Sequence, residues 1–177
     1  MSLYGLALLI AVPFGNAASA GSLKIIYQFQ GGNDGASPTF PLVEWNGALY
    51  GTTGSGGGTG CGGQGCGILF SITLGDINTE TIIHNFNNDG GFADSGLRKV
   101  DNALIGDYYT TSGGETFYEV KSSGNTFTFK TIGSVAESDV IPYYGMLQIG
   151  KVLYGAAIDG GTGCAPNGCG YIYAVTP

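Results

Sequence analysis

The chain has 177 residues, of which 34 are glycine and 12% are aromatic, and its formal net charge is −7. This length suits one domain, and so many aromatic residues without a Gly-X-Y period exclude both a disordered linker and a collagen-like chain. The pI is about 4.3 and the 6 basic residues form no stripe, which excludes nucleic acid as a partner.

The N-terminus has the pattern of an export signal. An apolar run over residues 3–14 is followed by Ala18, Ser19 and Ala20, directly before Gly21. The run is shorter than the roughly 20 residues of a membrane span. We therefore expect residues 1–20 to be a cleaved signal peptide, and residues 21–177 to be secreted or held at the cell surface without a membrane span. Because no Lys or Arg precedes the run, the alternative is an uncleaved apolar segment that serves as an anchor or an assembly element.

After Gly21 the composition favours β-structure. Short runs of Tyr, Phe, Ile, Val and Thr alternate with Gly, Asn, Asp and Ser, the residues of tight turns. We therefore predict an all-β fold.

Two motifs recur along the chain and define three units. The pattern T-G-C-x4-C-G occurs at residues 59–67 and again at 162–170. Upstream of these, A-L-Y-G at 48–51 matches V-L-Y-G at 152–155, with the degenerate version A-L-I-G at 103–106. The units are expected to cover about residues 24–80, 81–125 and 126–177.

Each unit is expected to contain four short strands. The opening segments lie at residues 24–29, 81–86 and, more loosely, 126–132. A second strand is expected near residues 42–45, 97–100 and 146–149, a third on the recurring Leu-Tyr-Gly motif, and a fourth at 68–72, 116–120 and 171–175.

A repeat of about 45 to 55 residues with four strands predicts β-propeller-like architecture, with a β-sandwich as the alternative. The strand at 24–29 could then complete the last unit. Because closed propellers typically need at least four blades, we expect chains to associate into a homo-oligomer or the units to stack as an open array.

The motif residues Leu49, Tyr50 and Gly51, the segment Gly65 to Phe70 and the turn from Phe29 to Pro38 resemble the bacterial exported choice-of-anchor (Gloeo/Verruco) tandem-repeat family. The resemblance covers nearly all of the chain after Gly21. It implies a surface or secreted repeat module, and it brings no catalytic residue to this chain.

The four cysteines form two identical C-x4-C pairs, which predict local disulfides Cys61–Cys66 and Cys164–Cys169 in an exported chain. A four-thiolate zinc site is the alternative. Both interpretations assign the cysteines a structural role.

Acidic turns follow each opening segment and are candidate ligand-binding positions, with Asp34 in the first unit, Asp89 and Asp94 in the second and Asp139 in the third. Their oxygens could bind calcium or line a carbohydrate groove. The simpler interpretation is that Asp and Asn shape the turns by bonding their own backbone, since their spacing matches no calcium loop.

Aromatic side chains are the other candidate binding groups. Trp45, Tyr50 and Tyr154 could stack against sugar rings or contact a protein, with Trp45 as the favoured surface platform.

The pattern favours a non-catalytic module that binds a glycan or a protein, or assembles with itself. His84 is the only histidine and aligns with Tyr27 in the first unit, so a nucleophilic triad is not indicated. The alternative is an extracellular polysaccharide-acting enzyme with Asp34 and either Asp89 or Asp139 as acid and base.

Overall fold

The computed structural model describes residues 22–75, 77–93, 95–111, 113–135, 145–164 and 168–177. These residues form thirteen β-strands and three single-turn 3-10 helices, so the predicted all-β fold is confirmed. The strands make three antiparallel sheets, and none of the three closes on itself. No helix in the described part of the chain is long and apolar enough to cross a membrane.

The first sheet is four strands wide. Its strands are β1 (Ala36–Pro38), β2 (Val43–Trp45), β3 (Ala48–Ser55), β4 (Ile68–Thr73) and β5 (Thr79–Asn85). One edge of β3 pairs with β4, which in turn pairs with β5, while β1 and β2 lie end to end on the other edge of β3.

The second sheet repeats this arrangement and the third contains only part of it. The second comprises β6 (Gly91–Ala93), β7 (Arg98–Val100), β8 (Ala103–Thr110), β9 (Glu115–Ser123) and β10 (Thr126–Val135). The third comprises β11 (Leu147–Ile149), β12 (Val152–Ala157) and β13 (Tyr171–Val175). Among the described residues, no strand pairs with the outer edge of β13, where the first two sheets have β5 and β10.

The glycine of the recurring Leu-Tyr-Gly motif lies opposite an aromatic residue in every sheet. Gly51 pairs with Phe70, Gly106 with Tyr118 and Gly155 with Tyr173. A Cβ atom on Gly51 would lie 2.8 Å from the Phe70 ring, so the motif needs glycine there because the ring covers the backbone.

The sheets pack in series around two apolar cores. Tyr50 and Leu69 of the first sheet share a buried cluster with Tyr118 of the second. The opposite face of the second sheet, with Phe117, packs on the third, where the Phe117 and Tyr173 rings are 5.4 Å apart. The second sheet therefore lies between the first and the third.

The sheets group the strands differently from the sequence repeat. The segment at residues 81–86, expected to open the second unit, lies largely in β5 and pairs with β4 in the first sheet. Residues 23–29, which we call the leading segment, belong to no strand and pack on the first sheet. Three four-stranded units therefore do not appear among the described residues, because the third sheet has three strands.

Candidate functional site

The predicted disulfides Cys61–Cys66 and Cys164–Cys169 are both present. In each loop a glycine amide closes onto a glycine carbonyl, Gly67 onto Gly56 at 3.0 Å and Gly170 onto Gly160 at 3.1 Å. The two loops therefore share one backbone framework, and the disulfides indicate an oxidising environment.

The first disulfide loop is attached to the 3-10 helix that follows β5. The side-chain oxygen of Asn87 accepts hydrogen bonds from the amides of Gly60 (2.8 Å) and Cys66 (3.2 Å), and its amide group donates to the Gly56 carbonyl. Cys66 is fully buried, whereas Cys164 and Cys169 are exposed. The first loop thus contributes to the core and the second lies at the surface.

The acidic turns are tied to ring side chains of the preceding segment. The Tyr27 hydroxyl donates to Asp34 at 2.5 Å, and at the matching position His84 forms a close ion-pair contact with Asp89. Asp34 also accepts from the Gln30 amide at 2.5 Å. These contacts match the turn-forming interpretation of the aspartates. Asp94 and Asp139 lie outside the described residues.

Asp34 belongs to a carboxyl pair that the sequence reasoning missed. The Tyr27 hydroxyl lies 2.5 Å from Asp34 and 3.2 Å from Glu80, so it brings the two carboxyl groups together. Burial, followed by the adjacent Asp34 carboxyl group, raises the pKa of Glu80 to about 7. Burial alone would raise the pKa of Asp34, but hydrogen bonds from Tyr27 and the Gln30 amide outweigh it and lower the pKa. Glu80 therefore takes up a proton at a higher pH than an ordinary glutamate does, while Asp34 gives up its proton more readily than an ordinary aspartate.

A second pair of acids is hidden in the middle sheet. Asp107 and Glu115 are both fully buried, and the Ser95 hydroxyl donates to Asp107. Burial and the nearby charges of Asp107 and Glu115 raise the pKa of Tyr173 on the third sheet. Because both carboxylates are fully buried, they are inaccessible to a polymeric substrate.

The expectation of a surface aromatic platform is wrong at Trp45 and Tyr50. Their exposed fractions are 1% and 4%, because the second sheet covers the face on which both lie. Tyr154, the counterpart of Tyr50 in the third sheet, is 37% exposed. Sequence position alone does not distinguish the two tyrosines, since the difference lies in the covering sheet.

The structure adds an apolar surface on the third sheet that we call the third-sheet surface. It consists of one face of that sheet together with the outer edge of β13, and its large exposed side chains are Leu147, Ile149, Tyr154 and Ile172. Ile172 is 74% exposed, whereas its counterpart Leu69 is fully buried. Alignment of the last strands of the three units would have identified Ile172 as the counterpart of Leu69, which is buried.

No group of three or more His, Cys, Asp or Glu side chains within the described ranges could hold a metal ion. Calcium binding by the acidic turns stays a prediction.

Comparison with protein-family models, with curated proteins and with solved structures finds no match to this chain.

Proposed function

We propose that this chain is a secreted, non-catalytic β-repeat module that works by binding or self-assembly outside the cell. The observation that carries the proposal is the third-sheet surface, where four large apolar side chains lie beside an unpaired strand edge. Contiguous apolar patches and open sheet edges are typical of interaction sites. The stapled loops and the two shared cores supply a rigid scaffold for that surface.

The carboxyl groups of the chain fit this function better than catalysis. Glycosidases hold their two carboxyl groups about 5 to 9.5 Å apart, so that a sugar bond or a water molecule fits between them. Asp34 and Glu80 instead both contact the Tyr27 hydroxyl, at 2.5 and 3.2 Å, so this hydroxyl occupies the space between them. Asp34 and Asp89, one of the two pairs considered from the sequence, have separate partners in Tyr27 and His84. The other pair includes Asp139, which lies outside the described residues.

The alternative function, an extracellular polysaccharide-acting enzyme, is favoured by one observation. Asp34 and Glu80 have pKa values shifted in opposite directions, a feature shared with acid and base pairs in active sites. The enzyme alternative predicts that the wild-type chain cleaves a polysaccharide and that Glu80→Gln does not.

The test of the proposed function combines capture with an activity assay. The purified, oxidised chain is applied to a glycan array and to an immobilised copy of itself, and soluble polysaccharides are assayed for reducing-end release. We expect retention of a glycan or of the second copy, weakened by Ile172→Lys but not by Ile77→Lys, an exposed isoleucine in the turn between β4 and β5. Reducing-end release, or no retention on any surface, would contradict the proposal.

A further inference from the structure

The two interfaces inside the chain follow one pattern. Leu69 of the first sheet and Phe117 of the second occupy the same position, directly before the residue that faces the motif glycine. Leu69 packs in the core shared with Tyr118, and Phe117 packs in the core shared with Tyr173. Each sheet therefore places the same face on the sheet that follows it.

The corresponding face of the third sheet is uncovered. Ile172 holds the position of Leu69, and Ile149 holds that of Trp45. Ile149 is 61% exposed and Trp45 is 1% exposed. This face has the composition of an interface and no sheet packed on it among the described residues.

The first sheet carries the complementary face. Phe70 occupies the position of Tyr118 and Tyr173, the residues that receive the preceding sheet. Phe70 lines a groove of about 460 Å³ together with Leu42, Leu49 and the leading segment. Leu42 is 49% exposed, whereas its counterpart in the second sheet, Leu97, is buried. The groove lies where a preceding sheet would pack.

The leading segment occupies the position of the outer strand of that preceding sheet. On the second sheet, the Phe86 ring at the end of β5 lies 5.7 Å from the Tyr118 ring. On the first sheet, Phe29 lies 4.9 Å from Phe70, the counterpart of Tyr118. Residues 24–29 (KIIYQF) also match residues 81–86 (TIIHNF) in sequence.

A second contact shows the same correspondence. His84 stacks on Phe129 of β10 with ring centroids 3.5 Å apart. Tyr27, which aligns with His84, makes the matching contact on the first sheet, where its hydroxyl lies 3.2 Å from Glu80. Glu80 has the same register position in β5 as Phe129 has in β10. The leading segment thus lies where the outer strand of a preceding sheet would lie, whereas the third sheet has no outer strand in the part of the chain that the structure describes.

We propose that two copies of this chain associate head to tail, with the third-sheet surface of each copy filling the groove of the other and the leading segment pairing with the partner's β13. This inference rests on the proposed binding and assembly function and identifies its partner as a second copy. The expected register follows from β5 and β10, each of which pairs with its neighbour through one bulge, at Ile83 and Ile132. If the leading segment pairs with the partner's β13 in the same way, its bulge falls at Ile26. Tyr27 then lies opposite Ile172 and Lys24 lies opposite Ala174.

The number of copies follows from ring closure. Propellers typically have four to eight blades. One copy supplies three sheets, and two copies supply six, the only multiple of three in that range. A head-to-tail interface repeated twice closes a ring with twofold symmetry and leaves neither the β13 edge nor the groove exposed.

A cross-linking experiment tests the register between copies. A chain with Lys24→Cys is mixed under mild oxidation with a separately purified chain carrying Ala174→Cys, and the linked peptides are mapped by mass spectrometry. We expect a heterodimer joined through residues 24 and 174 with both native disulfides intact. The matched control pairs Lys24→Cys with Lys151→Cys, an exposed residue in the turn between β11 and β12, and should remain unlinked.

Sedimentation analysis tests the number of copies. We expect twice the chain mass, with Ile172→Lys weakening association about tenfold or more and Ile77→Lys leaving it unchanged, because Ile77 lies outside the surface. A monomer, an open polymer or a link in another register would overturn the two-copy ring. A monomer that retains a glycan would overturn the ring alone, whereas polysaccharide cleavage would overturn the non-catalytic function alone.

Discussion

The aligned positions Tyr27 and His84 show how one residue can be exchanged while its role is kept. Each ring side chain contacts the aspartate of the following turn, Tyr27 by a hydroxyl hydrogen bond to Asp34 and His84 by an imidazole contact with Asp89. The shared role is to fix the turn after an outer strand. The only histidine of the chain is therefore a turn-stabilising residue, as its alignment with tyrosine indicates.

Glu80 gives the fold a specific pH dependence. Its pKa rises from the ordinary value of 4.5 to about 7 in the folded chain, so the folded state holds the proton more tightly than the unfolded state. The resulting stabilisation is fully present below pH 4.5 and is lost as the pH rises through 7. We expect the melting temperature of the wild-type chain to fall over this range and that of Glu80→Gln to change less.

Thermal melts between pH 4 and 8 provide the measurement for Glu80. Glu44→Gln is the matched control, because Glu44 is an exposed residue of β2 that contacts only the adjacent turn through the Gly47 amide at 2.9 Å. Its profile should follow the wild type. Parallel profiles for wild type and Glu80→Gln would rule out this role of the carboxyl pair.

Gly106 tests the covering of the motif glycine by an aromatic ring. A Cβ atom there would overlap the Tyr118 ring, which is fully buried and has no room to move. We expect Gly106→Ala to lower the free energy of unfolding by about 1 to 3 kcal/mol. Gly133→Ala in β10, where a Cβ atom meets nothing within 4 Å, should be neutral or slightly stabilising in the same denaturant titration. Equal effects would contradict the explanation.

At the scale of elements, the two disulfide loops have the same backbone framework and different surroundings. The first is joined to the end of β5 through Asn87 and places Cys66 in the core, while the second is exposed. A disulfide that closes so short a loop contributes roughly 2 kcal/mol by restricting the unfolded chain, and this contribution should be similar for both. Any difference in stabilisation between the two disulfides therefore reflects how each loop packs against the rest of the chain.

Replacing each cysteine pair by alanine separates these contributions. We expect Cys61→Ala with Cys66→Ala to destabilise the chain by about 1 to 3 kcal/mol more than Cys164→Ala with Cys169→Ala, because only the first pair leaves a cavity in the core. Chemical denaturation of the two double variants gives the comparison. A larger loss from the second pair would show that its loop has a structural role beyond the contacts described.

At the scale of the whole molecule, the chain is a series of similar sheets with two different ends. Within the described residues, the first sheet has an apolar groove beside a segment that joins no sheet, and the third has an apolar face beside a strand edge with no partner. In the proposed ring, association of copies buries both ends, so folding and assembly should be linked.

This linkage predicts a melting temperature that rises with protein concentration. The wild-type chain should melt at higher temperature as its concentration increases from micromolar to hundreds of micromolar, because association stabilises only the folded state. Ile172→Lys should need about tenfold or more protein to reach the same melting temperature, because its association is weaker by that factor. Differential scanning calorimetry provides the measurement, and a wild-type transition unaffected by concentration would contradict the linkage.

The features that could be predicted from the sequence are local ones. Gly-rich turns between short aromatic and β-branched runs specified an all-β fold, and a spacing of five residues let each cysteine pair close its own loop. The Leu-Tyr-Gly repeat likewise located the central strand of every sheet. These signals depend on neighbours along the chain, which the sequence displays directly.

Which strands join a sheet and which faces are buried depends on the three-dimensional packing of the chain. Residues 81–86 match the leading segment in sequence, yet most of them form the outer strand of the first sheet while the leading segment has no sheet. Tyr50 and Tyr154 share a motif, yet a following sheet covers only Tyr50. The physical reason is that burial depends on what packs against a face, and in a repeated chain identical motifs differ only in the neighbours that the fold brings to them.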